Sequence, residues 1–212
     1  MGRVCFKTKL HEKTITVSVL FFSLQVLSQT NFRFADSTAQ WNVLETTTYM
    51  FLFGSDYTTL IYHASPDTFV YGNFYQKIDS TIFLRKDSFE RVFERNKYDT
   101  TDRLIYDFSK QQGDTFWLIN LNGNIGLNVF CHVDSVDMLF INRPRKALHI
   151  TYNNSSWLPD VWVEGIGSLN DDFLNNGFTH VCCDFPGWSL LCFYENGNLI
   201  YHDTTFQSCV YD

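Results

Sequence analysis

Large apolar side chains recur at every second position along much of this chain, and this alternation constrains the fold more than any other feature. The segment 103–108 reads RLIYDF and the segment 146–152 reads KALHITY. Successive side chains of a β-strand point to opposite faces, so this pattern predicts half-buried strands. Aromatic residues make up 17 % of the chain and charged residues 18 %. Such a composition favours pleated sheet with a sizeable core over disorder.

Similar segments are distributed over most of the chain. Strands are predicted over 57–62, 69–75, 81–84, 89–94, 103–108, 116–120, 129–141, 146–152, 188–194 and 199–202. Gly72 is expected to form a bulge inside its strand, and Pro66 to lie in a turn that ends the strand before it. In 129–141 the apolar parity changes at Asp134-Ser135, which predicts one inserted residue at that point. The segment 169–176 is the only short helix candidate.

The fold class follows from these segments and from the length of 212 residues. We predict one all-β domain, an antiparallel meander that forms either an open barrel of calycin type or a β-sandwich, with at most one short helix. The clearest local feature is Asn196-Gly197 between two apolar runs, which predicts a type I′ hairpin. In the simplest register of that hairpin, Cys192 faces Tyr201 and its disulfide partner lies outside the hairpin.

The first 28 residues have the order of a secretory signal peptide. Basic residues are followed by an apolar run over 15–24. This run is too short for a helix that spans a bilayer, which needs roughly 20 apolar residues. Cleavage is expected near Ser28 or Thr30, which leaves a single β-rich domain over 29–212. The mature protein is therefore predicted to be secreted, periplasmic or on the cell surface.

The charge changes when residues 1–28 are removed. The whole chain has a net charge of −7, and because four basic residues and one acidic residue lie in 1–28, the segment 29–212 carries 12 basic and 22 acidic residues, a net charge of −10. Such a body repels phosphate backbones, and no basic patch with interleaved aromatic residues is evident in the sequence. Nucleic-acid binding is therefore not expected.

Cysteine usage predicts a staple near the C-terminus. Five of the six cysteines follow residue 28, and four of these lie in the last 31 residues. Because export permits disulfides, Cys192 is expected to pair with Cys183 or Cys209, and Cys131 is the best candidate for a free thiol. Neither a metal site nor a cofactor is predicted, since His202 is isolated in the sequence and the spacing of the cysteines is unlike that of zinc ligands.

Four motifs occur in order along the chain: RLIYDFSKQQGDTF, VDSVD…RPRKAL, VWVEGIGSLN and LLCFYENGNLIY. Together they resemble a family of exported Bacteroidota-type proteins, many of which carry a C-terminal type IX secretion sorting domain. The resemblance covers roughly residues 40–209 and implies export and a β-rich domain, but no reaction. The sequence ends at Asp212 without such a sorting domain, so plain periplasmic or secreted residence is expected as much as surface attachment.

Glu164 lies between an apolar triplet and the glycines Gly165 and Gly167. It is either a general base on a glycine-rich turn, working with a second carboxylate such as Asp107, or part of a backbone bend. We interpret the motif as a bend, because glycines in strands commonly mark bulges and close approaches of neighbouring backbone. The carboxylate is then expected either to cap nearby backbone N–H groups or to pair with a basic residue of the segment 143–146: Arg143, Arg145 or Lys146.

Three tryptophans, Trp41, Trp157 and Trp188, are candidates for a sugar-binding platform. The alternative is that their rings fill the core, where aromatic side chains dominate burial. Trp157, in a polar loop, is the first of them to test. Two functions remain open: an exported, non-catalytic module that binds a glycan or a surface protein, and a secreted hydrolase that uses Glu164. No catalytic residue is assigned, and an enzyme is the less favoured of the two.

Overall fold

A computed structural model describes residues 33–49, 54–70, 72–119, 128–152, 159–170 and 187–212. In these residues thirteen strands are present: β1 (Gln40–Tyr49), β2 (Gly54–Val70), β3 (Asn73–Ile78), β4 (Ile82–Lys86), β5 (Arg91–Asn96), β6 (Arg103–Asp107), β7 (Thr115–Ile119), β8 (Asn128–Ile141), β9 (Arg143–Tyr152), β10 (Asp160–Val163), β11 (Gly167–Ser168), β12 (Gly187–Glu195) and β13 (Asn198–His202). The described residues contain no α-helix, and hence none long and apolar enough to cross a bilayer.

The strands form two antiparallel sheets. The first has eight strands in the order β13-β12-β1-β2-β3-β4-β5-β6, and the second has five in the order β11-β10-β9-β8-β7. The eight-stranded sheet curls into a half-barrel, and the predicted all-β, antiparallel fold is confirmed. Most neighbours in the first sheet are consecutive in the chain. The exception is β12, which returns from the C-terminal part of the chain to pair with β1.

The core lies between the two sheets and is rich in aromatic rings. Residues Arg33–Asp212 form one compact unit, and both sheets contribute to one buried cluster within it. Tyr106 of the first sheet contacts Trp162 of the second edge-to-face, with ring centroids 5.0 Å apart. Each large apolar side chain buried in this way stabilises the fold by about 1.5–3 kcal/mol. The alternation seen in the sequence thus places one face of each sheet in a shared core.

Two details of the predicted strands are wrong, both in the β2–β3 region. Strand β2 continues through Pro66, with an irregularity in its pairing between Ala64 and Asp67 instead of a turn. Gly72 does not form a bulge within a strand. It lies in the two-residue connection between Val70 and Asn73, which pair with each other. Its φ of +80° suits a tight hairpin, because glycine adopts positive φ without steric cost.

The predicted irregularity in the segment 129–141 is confirmed. Strand β8 runs from Asn128 to Ile141, and its register against β9 shifts between Val133 and Ser135. Before the shift, Val129, Cys131 and Val133 are in the core. The irregularity lies where the sequence placed it, but the second parity does not face inward beyond it: Met138 and Phe140 are exposed, and Leu139 and Ile141 pack against the core.

The β12–β13 hairpin has the predicted turn but not the predicted register. Asn196 and Gly197 both have positive φ, 51° and 73°, as a type I′ turn requires. Cys192 pairs with His202, however, and not with Tyr201. The difference of one residue arises because the pairing shifts between Phe193 and Tyr194. Several predictions lie outside the described residues: the signal peptide over 1–28, Trp157, Cys183 and most of the helix candidate 169–176.

Candidate functional site

The Glu164 motif forms the turn between β10 and β11. Gly165 and Gly167 have φ values of +77° and +102°, and the backbone N–H of Glu164 donates to the carbonyl of Lys146 at 2.9 Å. The Arg145 guanidinium donates to the Glu164 carbonyl at 3.0 Å. The turn therefore closes over a buried arginine, and Gly165 provides the room for that approach.

Gly165→Ala is expected to lower the free energy of unfolding by about 2–4 kcal/mol, measured by guanidinium titration. A Cβ at this position would lie 2.7 Å from Nη1 of Arg145 and 3.3 Å from the Phe34 carbonyl oxygen. Gly113→Ala is the matched control, because Gly113 has a φ of +87° with nothing within 4 Å. It should cost only the backbone strain of about 1–2 kcal/mol. Equal losses in both variants would show that the contact with Arg145 is unimportant.

The Glu164 carboxylate binds a different base from the one expected. Its partner is Lys86 of β4, at 2.6 Å, and not a basic residue of 143–146. Lys86 also lies 2.6 Å from Glu90, so one ammonium group holds two carboxylates. Burial of Glu164 opposes its ionisation, but the hydrogen bond and charge of Lys86 outweigh this and keep its pKa below the ordinary value. The carboxylate is therefore ionised at neutral pH and ties the second sheet to the first.

Asp107, proposed as the second carboxylate of a hydrolase, has partners of its own. Its carboxylate accepts hydrogen bonds from the hydroxyl and backbone N–H of Ser109 and lies 3.5 Å from the Lys110 ammonium. These contacts cap the turn after β6. The carboxylate that shares a cation with Glu164 is Glu90.

The tryptophans predicted to bind sugar lie in different environments. Trp41 is fully buried and donates from Nε1 to the carbonyl of Ile166 at 2.8 Å, so its place on an exposed platform is wrong. Trp188 is half-buried against the core. Trp117 was not predicted as a binding residue, yet it is 58 % exposed on β7 and packs edge-to-face on Phe130 at 5.0 Å. It lies in the apolar segment TFWLI, which has the composition of a buried strand and so does not mark its tryptophan as exposed.

The cysteines form the predicted staple. Cys192 is bonded to Cys209, with Cα atoms 5.5 Å apart, and Cys131 is a free, buried thiol. Burial raises the pKa of Cys131, so this thiol stays protonated and unreactive. His202 is isolated in the sequence but not in the fold, because a nitrogen of its ring and the sulfurs of Cys192 and Cys209 all lie within 4.8 Å of one another. The β12–β13 register brings them together.

Asp160 is a buried carboxylate that the sequence analysis missed. It accepts hydrogen bonds from Trp162 Nε1 at 2.9 Å, Tyr152 OH at 3.1 Å and Ser168 Oγ at 2.8 Å. Burial raises its pKa, and these hydrogen bonds lower it by less. The only sequence signal was an aspartate that opens the apolar strand DVWV. The group is enclosed in the core, where it orients the aromatic side chains around it.

The outer face of strands β3, β4 and β5 carries a group of alternating basic and aromatic side chains. Ile78, Leu84 and Val92 of these strands point into the core, so the residues between them point outward. We call this surface the Arg–aromatic face and define it by Lys77, Phe83, Arg85, Arg91, Phe93 and Arg95, together with Tyr75, which is itself buried. The expectation that no basic patch with interleaved aromatic residues exists is therefore wrong.

Basic and aromatic residues alternate across this face as well as along it. Lys77 and Arg95 are the cross-strand partners of Phe83, and Arg85 is paired with Phe93. Each strand has period two, and the registers offset the strands, so cations and rings form a checkerboard. The pattern is visible in the sequence as YQK, FLR and RVFER, but only the register aligns the three segments.

Cation–π contacts join the members of the face. The guanidinium of Arg85 lies 4.5 Å from the ring centroid of Phe93, and that of Arg91 lies 5.4 Å from the same ring. Arg95 lies 5.6 Å from the ring of Tyr75. Such contacts hold the planar guanidinium groups against the rings and so limit their rotamers. The face is therefore a preorganised surface and not a set of mobile side chains.

Asp102 orders two of these arginines at once. Its carboxylate binds Arg85 at 2.6 Å and Arg95 at 2.7 Å, and Tyr75 donates its hydroxyl to it at 2.9 Å. Burial of Asp102 opposes ionisation, but the hydrogen bonds from Arg85, Tyr75 and Arg95 outweigh it and keep the pKa of Asp102 below its usual value. The two guanidinium groups are therefore held side by side on one carboxylate.

Arg91, which is 42 % exposed, pairs with Asp87. Together with Asp102, this gives the face two bound carboxylates against four cations. Lys77, half-buried on β3, has no carboxylate partner among the described residues. The chain as a whole has a net charge of −7. A locally basic surface on an acidic protein can select an anionic partner.

Comparison of the chain with protein-family models, with curated proteins and with solved structures found no match. What the molecule binds must therefore be inferred from the chemistry of its own side chains. The Arg–aromatic face provides fixed hydrogen-bond donors, positive charge and flat apolar surface together. These are the properties that a binding surface for a ringed, anionic molecule needs.

Proposed function

We propose that the protein is an exported, non-catalytic binding module and that its Arg–aromatic face binds an acidic polysaccharide. The checkerboard of guanidinium groups and rings on β3, β4 and β5 is the observation that supports this most directly. The basic-then-apolar order of residues 1–28 supports export. Exported proteins meet charged surface polymers, so the two parts of the proposal fit each other.

An acidic polysaccharide matches both components of the face. Its carboxylate or sulfate groups accept paired hydrogen bonds from guanidinium groups, whose fork geometry suits planar anions. The apolar faces of its sugar rings pack on aromatic side chains such as Phe83 and Phe93, which are half-buried. A neutral glycan would leave the excess positive charge unused. A nucleic acid would bring a much denser charge close to the acidic remainder of the molecule.

The test compares polygalacturonate with neutral dextran by isothermal titration calorimetry on the mature protein. Polygalacturonate should bind, with an affinity that falls as salt is raised, and dextran should not. Lys77→Gln/Arg91→Gln should weaken binding about tenfold or more, because it removes two charge-assisted contacts and leaves the Asp102 group intact. Arg33→Gln/Lys110→Gln removes the same charge outside the face and should bind like wild type.

Three results would overturn the proposal. One is that neither polygalacturonate nor dextran sulfate binds. Another is that the control variant loses as much affinity as the face variant, which would mean only a general charge effect. The third is tighter binding of single-stranded DNA than of either polysaccharide, which would assign the same face to nucleic acid.

The hydrolase that uses Glu164 with a second carboxylate is the alternative, and the specific observation in its favour is that Glu90 and Glu164 surround one ammonium, that of Lys86. The same samples separate the two functions. A binding module leaves the chain length of polygalacturonate unchanged on size-exclusion chromatography. Shortening by wild type and not by Glu164→Gln would replace the binding proposal with the hydrolase.

A further inference from the structure

A disulfide and a histidine meet on the outer surface of the first sheet. Cys192 of β12 and His202 at the end of β13 are directly paired across the hairpin. Cys209 reaches them from the C-terminal segment, and one ligand atom from each residue lies within 4.8 Å of the other two. The group lies in a small apolar cluster of its own, with Leu44 and Leu191 beneath it. It is separate from the Arg–aromatic face.

One nitrogen of the imidazole in this group, Nε2, lacks a hydrogen-bond partner within the described residues. Nε2 of His202 is buried from solvent and accepts or donates no hydrogen bond there. A buried ring nitrogen without a partner is costly, because its hydrogen bonds to water have been lost and not replaced. Groups of this kind call for an explanation, and an unfilled coordination bond is one. The chemistry of the three side chains identifies the ion.

We propose that reduction of the Cys192–Cys209 disulfide converts this staple into a Zn²⁺ site with His202 as its third ligand. A dithiol reductant supplies two electrons and two protons, so that the S–S bond breaks, two thiols form and the reductant becomes a disulfide. Zn²⁺ then binds both sulfurs as thiolates and releases the two thiol protons. The neutral imidazole binds through a ring nitrogen, and water takes the fourth position.

The distances fit a tetrahedral zinc site after one small movement. With Zn–S near 2.3 Å and Zn–N near 2.0–2.1 Å, ligand atoms in such a site are about 3.4–3.8 Å apart. The sulfurs must therefore separate from bonding distance, while the imidazole already lies within 4.8 Å of both. Two thiolates and an imidazole are ligands that zinc prefers, and magnesium and calcium do not bind such sets.

Hydrogen bonds keep Cys209 near its partners when the S–S bond is broken. The Asn42 side chain donates to the Cys209 carbonyl at 3.0 Å. The backbone of Tyr211 exchanges hydrogen bonds with Thr59 of β2, at 3.0 Å to the N–H and 2.7 Å to the hydroxyl. The sulfur of Cys209 therefore remains next to the hairpin. The C-terminal segment would be held by a covalent bond in oxidising surroundings and by zinc in reducing ones.

The test uses Co²⁺ as a spectroscopic substitute for Zn²⁺. The full chain is prepared with Cys5, Cys182 and Cys183 replaced by Ser, reduced with a dithiol, freed of reductant without oxygen and titrated with Co²⁺. One equivalent should produce sulfur-to-cobalt charge transfer and the intense visible bands of tetrahedral cobalt. Zn²⁺ should abolish them. The oxidised protein should show neither signal.

His202→Ala should weaken Co²⁺ binding at least about tenfold and change the visible bands, because one of three protein ligands is lost. His63→Ala, a histidine on β2 outside the group, should titrate like the parent. Far-UV circular dichroism checks that each reduced variant keeps its β-structure. If His202→Ala titrates like the parent, if reduced protein binds cobalt only when unfolded, or if the oxidised form binds equally well, the proposal is wrong.

Discussion

Arg145→Met should lower the free energy of unfolding by about 3–5 kcal/mol, one of the two largest losses expected for a single substitution in this protein. The Arg145 side chain is only 2 % exposed, and it forms an ion pair at 2.7 Å with Glu195, which is 6 % exposed. The substitution keeps the volume of the side chain but leaves the Glu195 carboxylate buried with one remaining cation, the more exposed Arg143 at 3.2 Å. It also removes the donor to the Glu164 carbonyl.

A double substitution distinguishes loss of the ion pair from loss of packing. Arg145→Met/Glu195→Leu removes both charges, so it should recover a substantial part of the stability that Arg145→Met loses. Urea unfolding of wild type and the three variants gives the coupling free energy of the pair. If the double variant is as unstable as the sum of the single variants, the buried charge is not the cause. The cost would then come from the turn at Gly165.

Asp160→Ala should also destabilise the protein by about 3–5 kcal/mol. Three side-chain donors each lose a hydrogen bond inside the core: Trp162 Nε1, Tyr152 OH and Ser168 Oγ. No water can reach them without entering the space between the sheets. Thermal and urea unfolding monitored by Trp fluorescence measure the loss. A change below about 1 kcal/mol would show that these donors find other partners.

The effect of Asp160 on stability should depend on pH in a defined direction. Burial raises its pKa in the folded protein above the ordinary 3.8 of the unfolded chain. Below pH 3.8 both states hold the proton, and the contribution of Asp160 is fully present. As pH rises toward the folded pKa, the unfolded state releases its proton first, so stability is lost.

Asp160→Asn is the matched control for this titration, because it is isosteric and cannot ionise. The stability advantage of wild type over Asp160→Asn should therefore shrink as pH rises from 3.8. Subtracting the free energy of unfolding of Asp160→Asn from that of wild type cancels the contributions of groups such as Asp102. The lowered pKa of Asp102 makes stability rise with pH, which is the opposite direction. An advantage that grows with pH would mean that Asp160 is ionised in the core.

The sequence alone predicted the features that depend on neighbours in the chain. Alternation identified most strands, the parity change located the irregularity in β8, and Asn196-Gly197 located the hairpin turn. Each of these is a property of a few consecutive residues. Gly72 was misplaced because a glycine in an apolar run fits a bulge and a two-residue turn equally well.

Features that depend on register could not be predicted in the same way. The shift at Phe193 and Tyr194 moved His202, instead of Tyr201, next to Cys192. Likewise, the pairing of Lys86 with Glu164 joins residues 78 positions apart, from different sheets. A shift of one residue changes which side chains meet, and the register between two strands cannot be read from the sequence of one of them.

The candidate binding surface was partly accessible from the sequence. Arg91, Phe93 and Arg95 alternate within one strand, and this could have marked a basic, aromatic face. That Lys77 and Arg95 flank Phe83 required the registers of two further strand pairs. Trp41, in contrast, was selected for its residue type, and burial in the core was the alternative already considered for it.

Strand β2 is a member of two ladders. Its N-terminal part, up to His63, pairs with β1, and its C-terminal part, from Ala64, pairs with β3. One continuous backbone therefore joins the hairpin that carries the disulfide to the strands that carry the basic face. Neither part of the half-barrel can open without straining the strand that also anchors the other, so the eight strands should exchange their amide protons as one cooperative unit.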